Sequence, residues 1–109
     1  MHSTNSKLPT SKEYEKCSLL LFLLTQLECP SKKELCEPLG ISNTAFYRII
    51  NSLKTFFLVQ VVFVPVHSGQ RGRSGFYQVK NWGVFNPDLF KSNKQVYKLL
   101  LEAFMERDR

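Results

Sequence analysis

The spacing of apolar residues changes several times along this chain, and each change marks an element. The run Leu19-Leu20-Leu21-Phe22-Leu23-Leu24 is apolar all the way round a helix. Thr10 and Glu13 precede it at capping-box spacing, so a helix is predicted from Ser11 to about Leu27. Crossing a membrane takes about 20 such residues, so the run is too short to span one. Glu13 and Glu15 interrupt the basic stretch of Lys7, Lys12 and Lys16, and no small-x-small cleavage site follows, which argues against a signal peptide. The segment reads as the central helix of a domain, buried on one side by the two helices that come after it. Its remaining face is left to strands or to a second copy of the chain.

Cys29-Pro30 breaks the chain, and a second pattern begins. Ser31 and Glu34 form another capping box, opening a helix at Lys32, and Gly40 closes it by taking positive φ without steric cost. Pro38 lacks the N–H that would bond back to Glu34, so this helix is expected to be short or to end in a tight turn. Ser42 then caps another helix, its hydroxyl accepting from Thr44 or Ala45. Leu35, Leu39, Ile41, Phe46, Ile49, Ile50 and Leu53 are spaced to pack the two helices across the Gly40 turn, with the small Cys36 at the crossing.

Past Leu58 the period falls from 3.6 to 2. Val59–Val66 reads as a strand with Pro65 near its end, His67–Gly75 as a flexible basic loop, and Phe76–Lys80 as the paired strand. Trp82, Val84, Phe85, Leu89 and Phe90 then form a segment too apolar to stay in water and expected to dock on the sheet or the first helix. Asn86-Pro87-Asp88 makes a turn or the cap of a short helical turn. Ser92 starts a last helix, Asn93 to about Glu106, with Val96, Tyr97, Leu100, Ala103 and Phe104 at helical spacing and Leu99 and Leu101 widening the stripe. That helix either packs on its own domain or supplies half of a dimer interface.

The residues Leu35-Cys36, Leu39-Gly40-Ile41-Ser42 and Phe46 with Ile49, followed at once by a hairpin, resemble the helix-turn-helix and wing of the winged-helix superfamily. The fold this implies is α+β and mostly helical, a winged helix-turn-helix with a three-helix core, a two- or three-stranded β wing and a C-terminal helix. Any extra strand would have only Glu28–Pro30 to occupy. The domain would run over residues 10–91, with 1–9 as a flexible arm and 92–109 as the terminal helix. The resemblance makes residues 42–54 the recognition helix, with Ser42, Asn43, Thr44, Tyr47, Arg48, Asn51 and Lys54 facing outward. His67, Gln70, Arg71, Arg73 and Lys80 would belong to the wing. The alternative for the wing tip is an ordinary solvated loop, and for Tyr47 a ring packed on the motif's own edge with only its hydroxyl free.

Charge sharpens this picture. Net charge is +6, and no Asp or Glu occurs between Pro38 and Pro87, where Arg48, Lys54, Arg71, Arg73 and Lys80 all fall. Residues 1–30 balance three Lys against three Glu. The excess therefore sits on the second helix of the motif and its hairpin, as a face meeting phosphate requires. Arg48 suits bidentate contact to guanine, Asn43 or Asn51 contact to adenine, and Thr44 or Tyr47 a thymine methyl or a phosphate. Lys32, Lys33, Lys54 and Lys80 would hold the backbone without specifying sequence.

Catalysis finds little footing. The acid-free stretch excludes paired carboxylates in the central fold. No G-K-[ST] signature accompanies the glycines of the loop, and they do not lie between a strand and a helix. Cys17, Cys29 and Cys36 give neither an even disulfide framework nor a C-x-x-C pair, so reduced thiols and no metal or cofactor are expected. A hydrophobic content of 43% and an aromatic content of 13% in 109 residues indicate one folded domain. The expectation is a non-enzymatic, cytoplasmic, nucleoid-associated regulator of transcription that binds double-stranded DNA as a homodimer through its N- and C-terminal helices, away from membranes. Alternatives are an interaction or assembly module meeting an acidic protein, a plasmid- or phage-type replication or partition factor, and RNA binding through the same surface.

Overall fold

The computed structural model describes residues 10–66 and 74–107. Its elements run α1 (Ser11–Gln26), α2 (Lys32–Leu39), α3 (Asn43–Phe57), β1 (Gln60–Val66), β2 (Ser74–Asn81), α4 (Pro87–Ser92) and α5 (Lys94–Arg107). The architecture is α+β and mostly helical, with one antiparallel two-stranded sheet among the described residues.

Both capping boxes form. The Thr10 hydroxyl accepts from the Glu13 N–H while the Glu13 carboxylate accepts from the Thr10 N–H, and Ser31 and Glu34 repeat the exchange. Helix α1 is the hub: Cys17 and Leu19 through Leu23 are all buried, and α2, α3, α4, α5 and β2 pack around it. Its faces are thus covered from within the chain, including by the helix that the apolar stripe left free to pair elsewhere.

Helix α2 spans only two turns and carries Pro38 inside it. The chain leaves it through a Schellman-type turn, with Gly40 at φ 61 and the N–H groups of Gly40 and Ile41 donating to Glu37 and Cys36 carbonyls. Those bonds take up carbonyls that the helix end would leave without partners. Ser42 caps α3 through Ala45. Helix α3 closes on Leu58 at φ 59, an uncommon left-handed position for a branched side chain. Gly83, itself at φ 57, lies against that turn, and the Val84 N–H donates to the Phe57 carbonyl.

The hairpin register pairs Val61 with Val79, Phe63 with Tyr77 and Pro65 with Gly75. Val61, Tyr77 and Val79 pack against the core. Side chains alternate along a strand, so Phe63, Pro65 and Gly75 share that inner face and Gln78 stands on the other, while the exposed Lys80 falls where the register shifts. The Glu28–Pro30 segment is not a strand. Cys29 has positive φ, and one bond joins this segment to β2, from the Tyr77 N–H to the Pro30 carbonyl.

The docking segment divides. Trp82, Phe85 and Phe90 pack inward in an aromatic series that continues through Tyr97 to Phe22. Val84 and Leu89 remain 64% and 56% exposed, in contrast to the burial expected from their hydrophobicity. The terminal helix also differs from its expected start. Asn86 caps the short α4, Asn93 breaks the path at φ −110 and ψ 32, and α5 begins at Lys94. It lies on its own α1, with Tyr97 stacked on Phe22 and Arg107 bonded to Glu15 at 2.8 Å.

Candidate nucleic-acid interface

Helix α3 buries Phe46, Ile49 and Leu53. The helical period then turns Asn43, Thr44, Tyr47, Arg48, Asn51 and Lys54 to the opposite arc, and every one of them is exposed. Thr55 is exposed on the same arc, four residues beyond Asn51. It was recoverable from the period, but its place near the helix end had hidden it. No carboxylate belongs to this arc. Ser42 is exposed, but its hydroxyl already accepts the Ala45 N–H, so its remaining capacity is donation.

Tyr47 resolves the alternative posed by its sequence position in the opposite sense. Its side chain is half exposed while its hydroxyl is engaged. Lys32 Nζ donates to Tyr47 Oη at 3.0 Å and sits 4.9 Å from the ring centroid. That bond lowers the Tyr47 pKa from its ordinary value, and a second bond from the Tyr77 hydroxyl lowers it further. Tyr77 is pushed up to about 12, first by burial and then by the bond to Tyr47, so Tyr77 keeps its proton and donates. The consequence is mechanical. The phenolic oxygen is held by Lys32 from α2, with the Tyr77 hydroxyl of β2 beside it, and the ring keeps its place at the edge of the arc. Edge-on contacts of Phe46 with Tyr47 at 5.4 Å and with Tyr77 at 5.1 Å tie this group to the core.

Lys32 and Lys33 occupy the first turn of α2, next to Tyr47. Lys33 also pairs with Glu37 at 3.8 Å, but both side chains are largely exposed, so the pair contributes little and yields easily to another anion. The end of the hairpin approaches the same place. Phe63, Gly75 and Tyr77 line a cleft of about 630 Å³ together with Ser31, Lys32, Lys33 and Tyr47. Phe63 and Tyr77 carried no sequence signal of a site. Only the strand register, which sets Phe63 beside Tyr77, brings them here. Lys80, at the irregular end of the hairpin, is exposed but does not line this cleft. His67, Gln70, Arg71 and Arg73 lie outside the described residues.

Other chemistry is sparse. Among the described residues, no group of three or more His, Cys, Asp or Glu side chains is placed to hold a metal ion, and no helix is long and apolar enough to cross a membrane. All three thiols are free, Cys29 exposed and Cys17 and Cys36 buried. Comparison of the chain with protein-family models, curated proteins and solved structures finds no match.

Proposed function

We propose that this chain is a winged helix-turn-helix protein that binds double-stranded DNA, with α3 lying in the major groove and the β1–β2 hairpin alongside as the wing. The observation that carries the reading is the outer arc of α3: Asn43, Thr44, Tyr47, Arg48, Asn51 and Lys54 exposed together, without a carboxylate, and flanked by Lys32 and Lys33. A 15-residue helix is about 22 Å long, enough to lie in the groove. In this reading Arg48 contacts guanine, Asn43 or Asn51 adenine, and Lys32, Lys33 and Lys54 the phosphates. Tyr47, its hydroxyl already occupied, contributes its ring. Control of transcription is the role such a surface serves most directly.

A second copy fits the reading. Val96, Leu99 and Leu100 on α5 are 53%, 58% and 46% exposed, with Leu100 bordering the side that buries Phe104 and Leu99 turned farthest from it. Two copies joined there would carry two α3 helices, one for each half of a two-part site.

Titrating duplex affinity against salt tests the proposal. Neutralising about six phosphates gives a slope of log K against log salt of about −5. Arg48→Ala should cost about 1–3 kcal/mol on one preferred site selected from a random duplex pool, and much less elsewhere. Equal losses on every sequence would remove base reading from Arg48. Absence of duplex affinity at low salt would refute DNA binding and favour an acidic protein as the partner of this face.

A further inference from the structure

The cleft between α2, α3 and the hairpin has features that duplex binding does not use. Phe63 is 44% exposed although it lies on the inner face of the sheet. Its ring covers Gly75, where any side chain would collide with it, and Tyr77 lies against it at 5.1 Å. The rings of Phe63, Tyr77 and Phe46 therefore form a continuous series from the exposed cleft wall to a fully buried core residue. A platform anchored in this way is rigid before anything binds. Lys32, whose ammonium group sits over the Tyr47 ring, and Lys33, in its exposed pair with Glu37, line the same cleft, and none of the lining residues carries a carboxylate.

An exposed ring and two cations in one cleft suit a ligand with an aromatic plane and an adjacent anion. Bases inside a duplex are stacked on both faces and cannot use such rings. An unpaired base can, because every base offers a π-face and stacking tolerates any sequence. Resting on the nucleic-acid reading above, we propose that this cleft seats one unpaired nucleotide of a strand, its base against Phe63 and its phosphate at Lys32 and Lys33. The protein then favours duplexes that carry a bulge, gap or frayed end over intact ones. A volume of about 630 Å³ leaves room for a base with its sugar and phosphate.

The test compares three probes at one salt concentration: an intact duplex, the same duplex with a bulge of unpaired adenosines, and free adenosine monophosphate. The full chain should bind the bulged duplex roughly tenfold more tightly than the intact one, the margin expected from one stacked base. Phe63→Ala should erase that margin. Phe63→Leu, which keeps an apolar side chain but no ring, should erase it too while its thermal melting stays close to that of the parent chain. Free nucleotide should bind far more weakly than the bulged strand. Equal affinity for the two duplexes would overturn the cleft assignment and leave duplex binding standing, as would a margin that survives in both Phe63 variants. Tight binding of the free nucleotide with no preference for the bulge would overturn the strand form of the proposal. Failure to bind either duplex would remove both readings together.

Discussion

Replacing Phe46 probes the link between the core and the candidate interface. The side chain is 0% exposed and meets Tyr47 and Tyr77 edge-on at 5.4 and 5.1 Å. Truncation to Ala removes the whole buried ring and leaves a cavity, a change that typically costs about 3–5 kcal/mol. A domain of this size is stable by about 5–15 kcal/mol, so Phe46→Ala takes a large fraction of the total. Phe46→Leu is more informative, because it keeps most of the volume and loses the ring. An apolar swap of similar size costs up to about 1.5 kcal/mol, and each ring-edge contact adds about 0.5–1.5 kcal/mol, so a loss of about 2 kcal/mol is expected. Urea unfolding followed by circular dichroism measures it. With m of about 1.5 kcal/mol/M, the midpoint should fall by a little over 1 M at unchanged m. In a Tyr77→Leu background the same substitution should cost about 1 kcal/mol less, since one of the two contacts is already gone. A Phe46→Leu loss within about 0.5 kcal/mol, the range of an ordinary surface change, would refute the packing reasoning.

Other predictions rest on backbone, ionisation and surface. Gly83→Ala should destabilise by at least about 2 kcal/mol, because Gly83 has φ 57 and a Cβ there would run into the Phe57 and Leu58 backbone. Leu58→Gly should stabilise by about 1 kcal/mol, since it relieves a left-handed position and its side chain is 65% exposed; equal signs for the two changes in denaturant melts would contradict the turn geometry. Burial, aided by the charge of Glu13, pushes the Cys17 thiol up to about 12 from 9.0. Above pH 9 the unfolded chain releases this proton and the folded chain retains it, so stability falls with rising pH, by up to about 1.4 kcal/mol per unit. The difference in stability between parent and Cys17→Ala should shrink over that range, and a flat difference would mean that the thiol reaches water. Leu99→Glu should shift sedimentation mass at high concentration from dimer to monomer without changing the melting temperature, whereas a monomeric parent chain would dispose of the α5 interface outright.

The sequence spoke clearly wherever a local rule determines the outcome. Thr10 with Glu13, and Ser31 with Glu34, set helix starts by reciprocal bonds three residues apart, and both are present in the fold. Gly40 marked the turn because few other residues take its backbone conformation cheaply. The polar arc of α3 followed from its period. Leu58 was not legible, because a leucine at positive φ obeys no local preference and is held by Gly83 and Val84, which arrive much later in the chain. Tyr47 was open for the same kind of reason. Whether its ring or its hydroxyl faces water depends on Lys32 and Tyr77, and periodicity is blind to both. The cleft required the strand register, a tertiary fact. Val84 and Leu89 show the opposite limit: hydrophobicity marks a residue for burial, but the geometry around Trp82, Phe85 and Phe90 decides which side chains find space.

The bond between Arg107 and Glu15 draws the last turn of α5 onto the first turns of α1. Helices α2 and α3 follow α1 directly and cover part of it, whereas Phe90 and Phe104, which complete the same core, come later, from α4 and α5. Until α4 and α5 have been made, part of the leucine-rich helix therefore stays open to water, a condition that invites chaperone capture or self-association. A ribosome stalled before residue 90 would release a fragment that cannot bury its own centre.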